Sequence, residues 1–327
     1  MIDKFQRYID YIRISITDRC NLRCRYCMPE QGLPSISHDE VLSYEELLRL
    51  ARVFAALGVS KYKITGGEPL VRRGCAGLVA RLKELPGVEQ VTLTTNGVLL
   101  AEQIAALEKA GLDAVNISLD TLKPDKFRYI SRLGDLSRVL AGLEAALASG
   151  IPRVKTNTVP QRGFNDDELI EIAQLARHDP LAVRFIEVMP IGEGSQYQPI
   201  DNTEVLALLE ARFGAFEPLA AHIYGNGPAR HYQPPGFVGK IGLISAVSHA
   251  FCSECNRLRL TADGKLKLCL YYNDGVDLRA ALRGGSSDQQ LMELIAAAVM
   301  NKPKQHDFAR QQDAGNAETG CMSGFGG

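Results

Sequence analysis

Tyr8-Ile9-Asp10-Tyr11-Ile12-Arg13-Ile14-Ser15-Ile16, followed by Thr17-Asp18-Arg19-Cys20, sets the pattern on which the fold is read. A short apolar strand runs into polar, chemistry-bearing residues. The same unit recurs at Lys61 to Thr65, Gln90 to Thr94, Ala114 to Leu119, Arg153 to Val159 and Ala182 to Val188, with a longer helical stretch after each strand. The first helix opens on Ser43 and Glu46, a capping-box pair, and stops before Gly58. Such alternation marks a parallel α/β fold. The strands end in Asp18-Arg19-Cys20, Gly66-Gly67-Glu68-Pro69, Thr95-Asn96-Gly97, Ser118-Leu119-Asp120, Lys155-Thr156-Asn157 and Glu187-Val188-Met189-Pro190. In a parallel barrel these ends converge on one face. The expected architecture is therefore α/β, a partial six-stranded parallel (β/α)6 barrel over residues 1–220.

Beyond residue 220 the character changes. Gly225 to Pro228 and Gln233 to Gly239 are rich in Gly and Pro, and strand-like pieces follow around Ile241 and Leu258, which predicts a smaller C-terminal module over 221–327. The stretch from Asn301 to Gly327 is polar and is expected to be a mobile tail. No repeat beyond the βα alternation is present.

The 327 residues are 46% hydrophobic and 23% charged, enough to bury a substantial core. A net charge of -1 and a pI near 6.6 exclude bulk attraction to nucleic acid or to an anionic membrane, so an anion must be met by locally clustered Lys and Arg. Met1 to Arg7 has no apolar signal core, and no run approaches the roughly 18 apolar residues of a membrane span, so a cytoplasmic location is expected. Eight cysteines in a reducing compartment point to metal ligation or catalysis before disulfides.

Their spacing carries the chemistry. Cys20, Cys24 and Cys27 form C-x3-C-x2-C directly after the first strand, offering three thiolates. Three sulfurs leave one iron of a [4Fe–4S] cluster open, whereas a structural zinc site closes on a fourth ligand, for which His38 is the candidate. Cys252, Cys255 and Cys269 form a second trio in the C-terminal module, with a zinc knuckle completed by His249 as the alternative. Cys75 and Cys321 stand alone, and His178, His222 and His231 show no ligand spacing. Gly66-Gly67-Glu68-Pro69 suits close approach of backbone to a ligand. Asp120 and Glu187, at strand ends, either touch ligands or orient neighbours.

C-x3-C-x2-C with Tyr26 before its last cysteine, together with Gly66-Gly67-Glu68-Pro69, resembles the radical S-adenosylmethionine superfamily. Cys255-Asn256-Arg257-Leu258-Arg259-Leu260-Thr261 narrows the resemblance to the GTP 3′,8-cyclase family, over essentially the whole chain. The resemblance implies a lyase with two [4Fe–4S] clusters, the first binding S-adenosyl-L-methionine and generating a 5′-deoxyadenosyl radical. It implies conversion of GTP to (8S)-3′,8-cyclo-7,8-dihydroguanosine 5′-triphosphate in the first step of molybdopterin (molybdenum cofactor) biosynthesis. Carried over residue by residue, Tyr26, Gly67, Ser118 and Met189 contact the cofactor, and Arg13, Lys63, Thr94, Lys155, Arg257, Leu258 and Arg259 bind the substrate. Arg257 and Arg259 with the terminal Gly326 and Gly327 belong to the catalytic set. Lys63 departs from the arginine usual there, keeping the charge and losing bidentate geometry. Implied partners are an electron donor and a downstream cyclic pyranopterin monophosphate synthase, and the resemblance leaves room for a homodimer. The competing readings are a radical enzyme with an auxiliary cluster that modifies a peptide, and a non-catalytic zinc or nucleotide-binding module.

Overall fold

The computed structural model describes residues 1–34, 36–220, 225, 227–249, 251–308, 318 and 320–325. All six expected strands are present in order: β1 (Tyr11–Ser15), β2 (Lys61–Thr65), β3 (Gln90–Thr95), β4 (Ala114–Ser118), β5 (Val154–Thr158) and β6 (Leu181–Ile186). Each pairs in parallel with the next. The helices between them are α1 (Tyr44–Ala56), α2 (Cys75–Lys83), α3 (Leu100–Lys109), α4 (Pro124–Ser131), α5 (Leu136–Ala148) and α6 (Leu169–Gln174). At the start of α1, Ser43 and Glu46 form the reciprocal capping box, and Leu47, Leu48, Leu50, Ala51, Val53 and Phe54 bury one stripe against the sheet.

The parallel run is longer than six strands. After α7 (Asn202–Phe213) come β7 (Glu217–Pro218), β8 (Arg230–Gln233) and β9 (Lys240–Ile244), then β10 (Arg257–Leu260), β11 (Lys265–Lys267) and β12 (Gly275–Asp277), and finally α8 (Leu278–Arg283) and α9 (Asp288–Met300). β9 adds in parallel to β6 and β10 adds in parallel to β1. The result is one sheet ordered β12-β11-β10-β1-β2-β3-β4-β5-β6-β9-β8-β7, an open, partial barrel flanked by strands from residue 217 onward. Unpaired edges of β1 and β6 would expose rows of backbone donors and acceptors, and the added strands satisfy them.

Strand alternation then sorts the side chains. Ile12, Ile14, Tyr62, Ile64, Val91, Leu93, Val115, Ile117, Val183, Phe185, Ile241, Leu258 and Leu260 are buried in the core. Their neighbours Arg13, Lys63, Thr94, Asn116, Lys155, Arg184, Arg257 and Arg259 point the other way, into the barrel. A parallel barrel normally fills its interior with branched apolar residues, so a polar, cationic interior marks a ligand site.

One expectation is corrected, and the strand register sets where the second cysteine trio lies. Because β10 runs parallel to β1 with Tyr11 opposite Arg257, Cys255 lies at the N-terminal end of the strands, while Cys20 lies past their C-terminal end. The antiparallel β11, with Lys267 opposite Arg259, brings Cys269 back toward the same level as Cys255. The two sets are therefore separated along the strands by on the order of 20 Å. The described tail residues are also anchored rather than loose: Glu318 forms a buried ion pair with Lys267, and Met322–Phe325 forms a short turn whose Phe325 carbonyl accepts from Arg259 at 3.1 Å. Charge pairing holds these residues together with apolar contacts, since Phe308 packs with Ile191 and Tyr271 and Met322 lies against that cluster. No helix among the described residues is long and apolar enough to cross a membrane.

Candidate active site between two cysteine trios

A cavity of about 360 Å³ runs through the barrel and is lined by all six cysteines of the two trios. At its C-terminal end the loop after β1 is braced by the turn after β2. Gly67 N donates to Thr17 O at 2.7 Å and Glu68 N to Arg19 O at 2.8 Å. The two glycines are demanded by this packing, since a Cβ on Gly67 would lie 2.5 Å from Arg19 O and one on Gly66 would lie 2.7 Å from Thr17 O. Glu68 is fully enclosed and is pushed up to about 7 by burial, although Asn96 N (2.6 Å), Thr95 Oγ1 (2.7 Å) and Leu70 N (3.1 Å) all donate to it. Asn96 in turn points Nδ2 at Cys20 Sγ, 3.8 Å away. Burial lifts Cys20 to about 11 and raises Cys24 well above the ordinary thiol range, with Asp120 and the neighbouring cysteines adding to the effect on Cys24.

Tyr26, Gly67, Ser118 and Met189 all line this end of the cavity. Tyr26 OH donates to Asp120 Oδ2 at 2.7 Å, and Asp120 Oδ1 accepts from Val159 N at 2.9 Å, so Asp120 orients the tyrosine. Glu187 is an orienting group as well. It is saturated by Asn202 N, Val247 N, Ser248 N and Ser248 Oγ, which tie the loop after β6 to the chain after β9.

Between the trios lies a belt of cations. Arg13 is opposite Lys63 in the β1–β2 register and opposite Arg259 in the β1–β10 register, and Lys155 is opposite Asn116. Burial and the neighbouring cations Arg184, Arg13, Lys155 and Arg257 hold Lys63 far below the usual ammonium range. Lys155 is drawn down to about 6 by burial, Arg184 and Arg153, and Arg184 to about 10, mainly by burial. Arg184 escaped the sequence reading. Its signal was available, as a lone charge inside Leu181-Ala182-Val183-Arg184-Phe185-Ile186 in the strand phase opposite to Val183 and Phe185. Gly242 on β9 leaves room for it, because a Cβ there would meet Arg184 Cγ at 2.7 Å. Thr94 also lines the cavity, whereas the Leu258 side chain does not: alternation sends it into the core. Arg184 Nε, Asn116 Oδ1 and Asn157 Oδ1 are buried without a hydrogen-bond partner among the described residues, as expected of a site shaped for a polar ligand.

At the N-terminal end, Arg257 Nη2 lies 3.7 Å from Cys255 Sγ. Burial raises the Cys255 thiol, but Arg257 and Lys302 outweigh it and bring it down to about 6. His306 lines the cavity here and its main-chain N–H faces Cys252. His38 and His249, the candidate fourth ligands, are exposed and do not line the cavity. Among the described residues no three Cys, His, Asp or Glu side chains gather tightly enough to hold a single ion. The donor chemistry, three thiols per set on segments braced from behind, fits a cluster ligated on three corners. His231 is buried against the cavity, and burial with Arg184 and Lys155 nearby lowers it to about 3. Cys75 is buried and Cys321 partly so, both away from the cavity. His222, Gly326 and Gly327 lie outside the described residues.

A partial parallel barrel with C-x3-C-x2-C after its first strand and a braced Gly-Gly turn after its second is the arrangement of a radical S-adenosylmethionine enzyme. Residues 14–176 match the radical SAM superfamily, and residues 181–308 match the family described as Molybdenum Cofactor Synthesis C. Among curated proteins, the chain is 47% identical over 333 residues to GTP 3′,8-cyclase of Moorella thermoacetica, with 100% of both chains covered. It is 50% identical over 312 residues to GTP 3′,8-cyclase of Heliobacterium modesticaldum, with 94% of each covered. The chain belongs to the GTP 3′,8-cyclase family. Superfamily membership brings one [4Fe–4S] cluster and S-adenosylmethionine. Among solved structures it resembles Streptococcus suis SuiB bound to precursor peptide SuiA, with a TM-score of 0.57 at 15% identity, covering 90% of this chain and 65% of that one. The chain thus spans less than two thirds of SuiB, and the likeness is one of fold alone.

Replacing Gly67 with Ala drives a methyl into the carbonyls of Asp18 and Arg19 just before Cys20. Gly67→Ala is expected to lose iron from the first trio after anaerobic reconstitution while the second trio keeps its own. Iron per chain, compared with a Cys20→Ala variant, reads this directly.

Proposed function

We propose that the chain is a lyase that converts GTP to (8S)-3′,8-cyclo-7,8-dihydroguanosine 5′-triphosphate, the first step of molybdenum cofactor biosynthesis. The observation that carries the reading is the belt of six cations, Arg13, Lys63, Lys155, Arg184, Arg257 and Arg259, three of them buried and three half-buried, strung along one cavity between two three-cysteine sets. A cluster held by Cys20, Cys24 and Cys27 together with S-adenosylmethionine would supply hydrogen-abstracting radical chemistry, and a second cluster held by Cys252, Cys255 and Cys269 would supply Lewis-acid binding of the purine.

The chain's own residues do the positioning. Tyr26, fixed by Asp120, with Gly67, Ser118 and Met189, shapes the cofactor end. The cation belt binds the triphosphate, the arginines by paired donors and the lysines as point charges. Thr94 offers a hydroxyl to the nucleoside from near the C-terminal end of β3, and Leu258 contributes through its main chain alone. Arg259, which donates to Phe325 O, couples the belt to the tail that ends in Gly326 and Gly327. The narrow, protein-walled cavity excludes water from a reactive carbon radical. The same reading takes in an external one-electron donor, a cyclic pyranopterin monophosphate synthase that consumes the product, a cytoplasmic setting and the division into a barrel over 1–220 and a module over 221–327.

Anaerobically reconstituted protein incubated with S-adenosylmethionine, dithionite and GTP is expected to form a cyclised guanosine triphosphate and 5′-deoxyadenosine in step. Formation of 5′-deoxyadenosine without the nucleotide product overturns the choice of substrate.

The charge belt also sets a pH dependence. Folded Lys155 releases its proton near 6, whereas the unfolded lysine holds its own to about 10.5. In that window the unfolded state binds more protons, so the ligand-free chain loses stability as pH falls. A bound triphosphate favours the ammonium and cancels the loss. The rise in thermal midpoint on adding GTP is therefore expected to be larger at about pH 7 than at about pH 9, and calorimetry in buffers of different ionisation heat should register proton uptake on binding.

A further inference from the structure

Lys302 follows α9, outside the barrel strands that carry the cation belt, yet it is 2% exposed and lines the cavity beside the second trio. Its Nζ donates to Arg257 O at 2.8 Å and to Leu268 O. Those carbonyls belong to the segments that carry Cys255 and Cys269. The anionic groups it faces are these two cysteines, while Arg7 and Arg257 are further cations. Burying an ammonium is costly unless negative charge lies close by, and here the charge available is that of thiolates.

A second buried cation ties in the remaining cysteine. Arg7, ion-paired with Asp3 at 2.6 Å, donates to Cys252 O at 2.8 Å, Pro303 O at 2.7 Å and Lys304 O at 3.0 Å. The segment Lys302-Pro303-Lys304 is thus a strut joined to the chain beside all three cysteines. The first trio has mixed surroundings, with the carboxyl group of Glu68 and the guanidinium of Arg23 near Cys20 and those of Asp120 and Arg132 near Cys24.

We propose that Lys302 is a positioning residue for the second trio: it clamps the two cysteine-bearing segments through their carbonyls and sets one fixed positive charge against the metal group they hold, raising that group's reduction potential. The inference rests on the two-cluster reading above. A nearby cation stabilises the more negative, reduced state of a cluster, and the environment of the sulfurs is a recognised determinant of cluster potential.

The test uses the full-length, anaerobically reconstituted protein and the variants Lys302→Gln, Lys302→Met and Lys302→Arg. Iron and sulfide per chain are counted, and the midpoint of each cluster is followed by EPR-monitored redox titration. Wild type and Lys302→Arg are expected to hold about eight irons and to share one second midpoint. Lys302→Gln keeps a donor for the carbonyls without the charge. It should keep its iron while the reduced-to-oxidised ratio of the second cluster at fixed potential falls about tenfold, about 59 mV for one electron, with the first midpoint unmoved. Lys302→Met, lacking the donor as well, should lose iron from the second set alone. A Lys302→Gln protein with wild-type midpoints, equal shifts at both clusters, or a Lys302→Arg protein that behaves like Lys302→Gln overturns the proposal. Wild type with about four irons instead overturns the two-cluster reading, separately from any effect of Lys302.

Discussion

The parallel pairing of β1 with β10 is the constraint on which the rest depends. Tyr11 opposite Arg257 and Arg13 opposite Arg259 fix a strand from late in the chain against the first strand of the barrel. Since β1 leads into Cys20 and β10 leads out of Cys255, this single register sets the two trios at opposite ends of one channel. A slip of one residue would turn Arg257 and Arg259 into the core and Leu258 and Leu260 into the channel. The apolar burial of those leucines therefore enforces the placement of the arginines.

That placement is electrostatically unfavourable in isolation. Burial, and then the neighbouring cations, lower the affinity of Arg13, Lys63, Lys155, Arg184 and Arg259 for protons in an enclosed space. The outer layer of the barrel supplies the packing that holds them there, so stability is spent on preorganising an anion site rather than filling an interior. The carboxylates close to the cavity do not relieve the strain. Asp120 serves Tyr26, Glu187 serves two loops, and Glu68 is consumed by the turn that braces the first cysteine loop.

Much of this was legible in the sequence because it is local. Alternation within Tyr11–Ser15 and Lys61–Thr65 carries both the strand assignment and the inward phase of Arg13 and Lys63, and the cysteine spacings declare themselves. The same alternation applied to Leu181–Ile186 would have flagged Arg184, and applied to Arg257–Leu260 would have turned the Leu258 side chain away from the site. What stayed hidden depends on contacts between segments far apart in sequence. The attachment of β9 and β10 to the barrel edges, the Lys267–Glu318 anchor of the tail, and the burial of Arg7 and Lys302 behind the second trio have no local signature. Lys302 in particular sits in a polar stretch that reads as solvated until the carbonyls of Arg257 and Leu268 are seen around it.

The central claim is that two incomplete thiolate sets bind iron at the two ends of one cationic channel. Anomalous diffraction at the iron edge, from crystals of the protein grown without oxygen, tests it most directly. The account predicts two iron peaks, one within Cys20, Cys24 and Cys27 and the other within Cys252, Cys255 and Cys269, both opening onto the channel. A single iron peak, a zinc-edge peak at either trio, or a fourth protein side chain closing either set would contradict it.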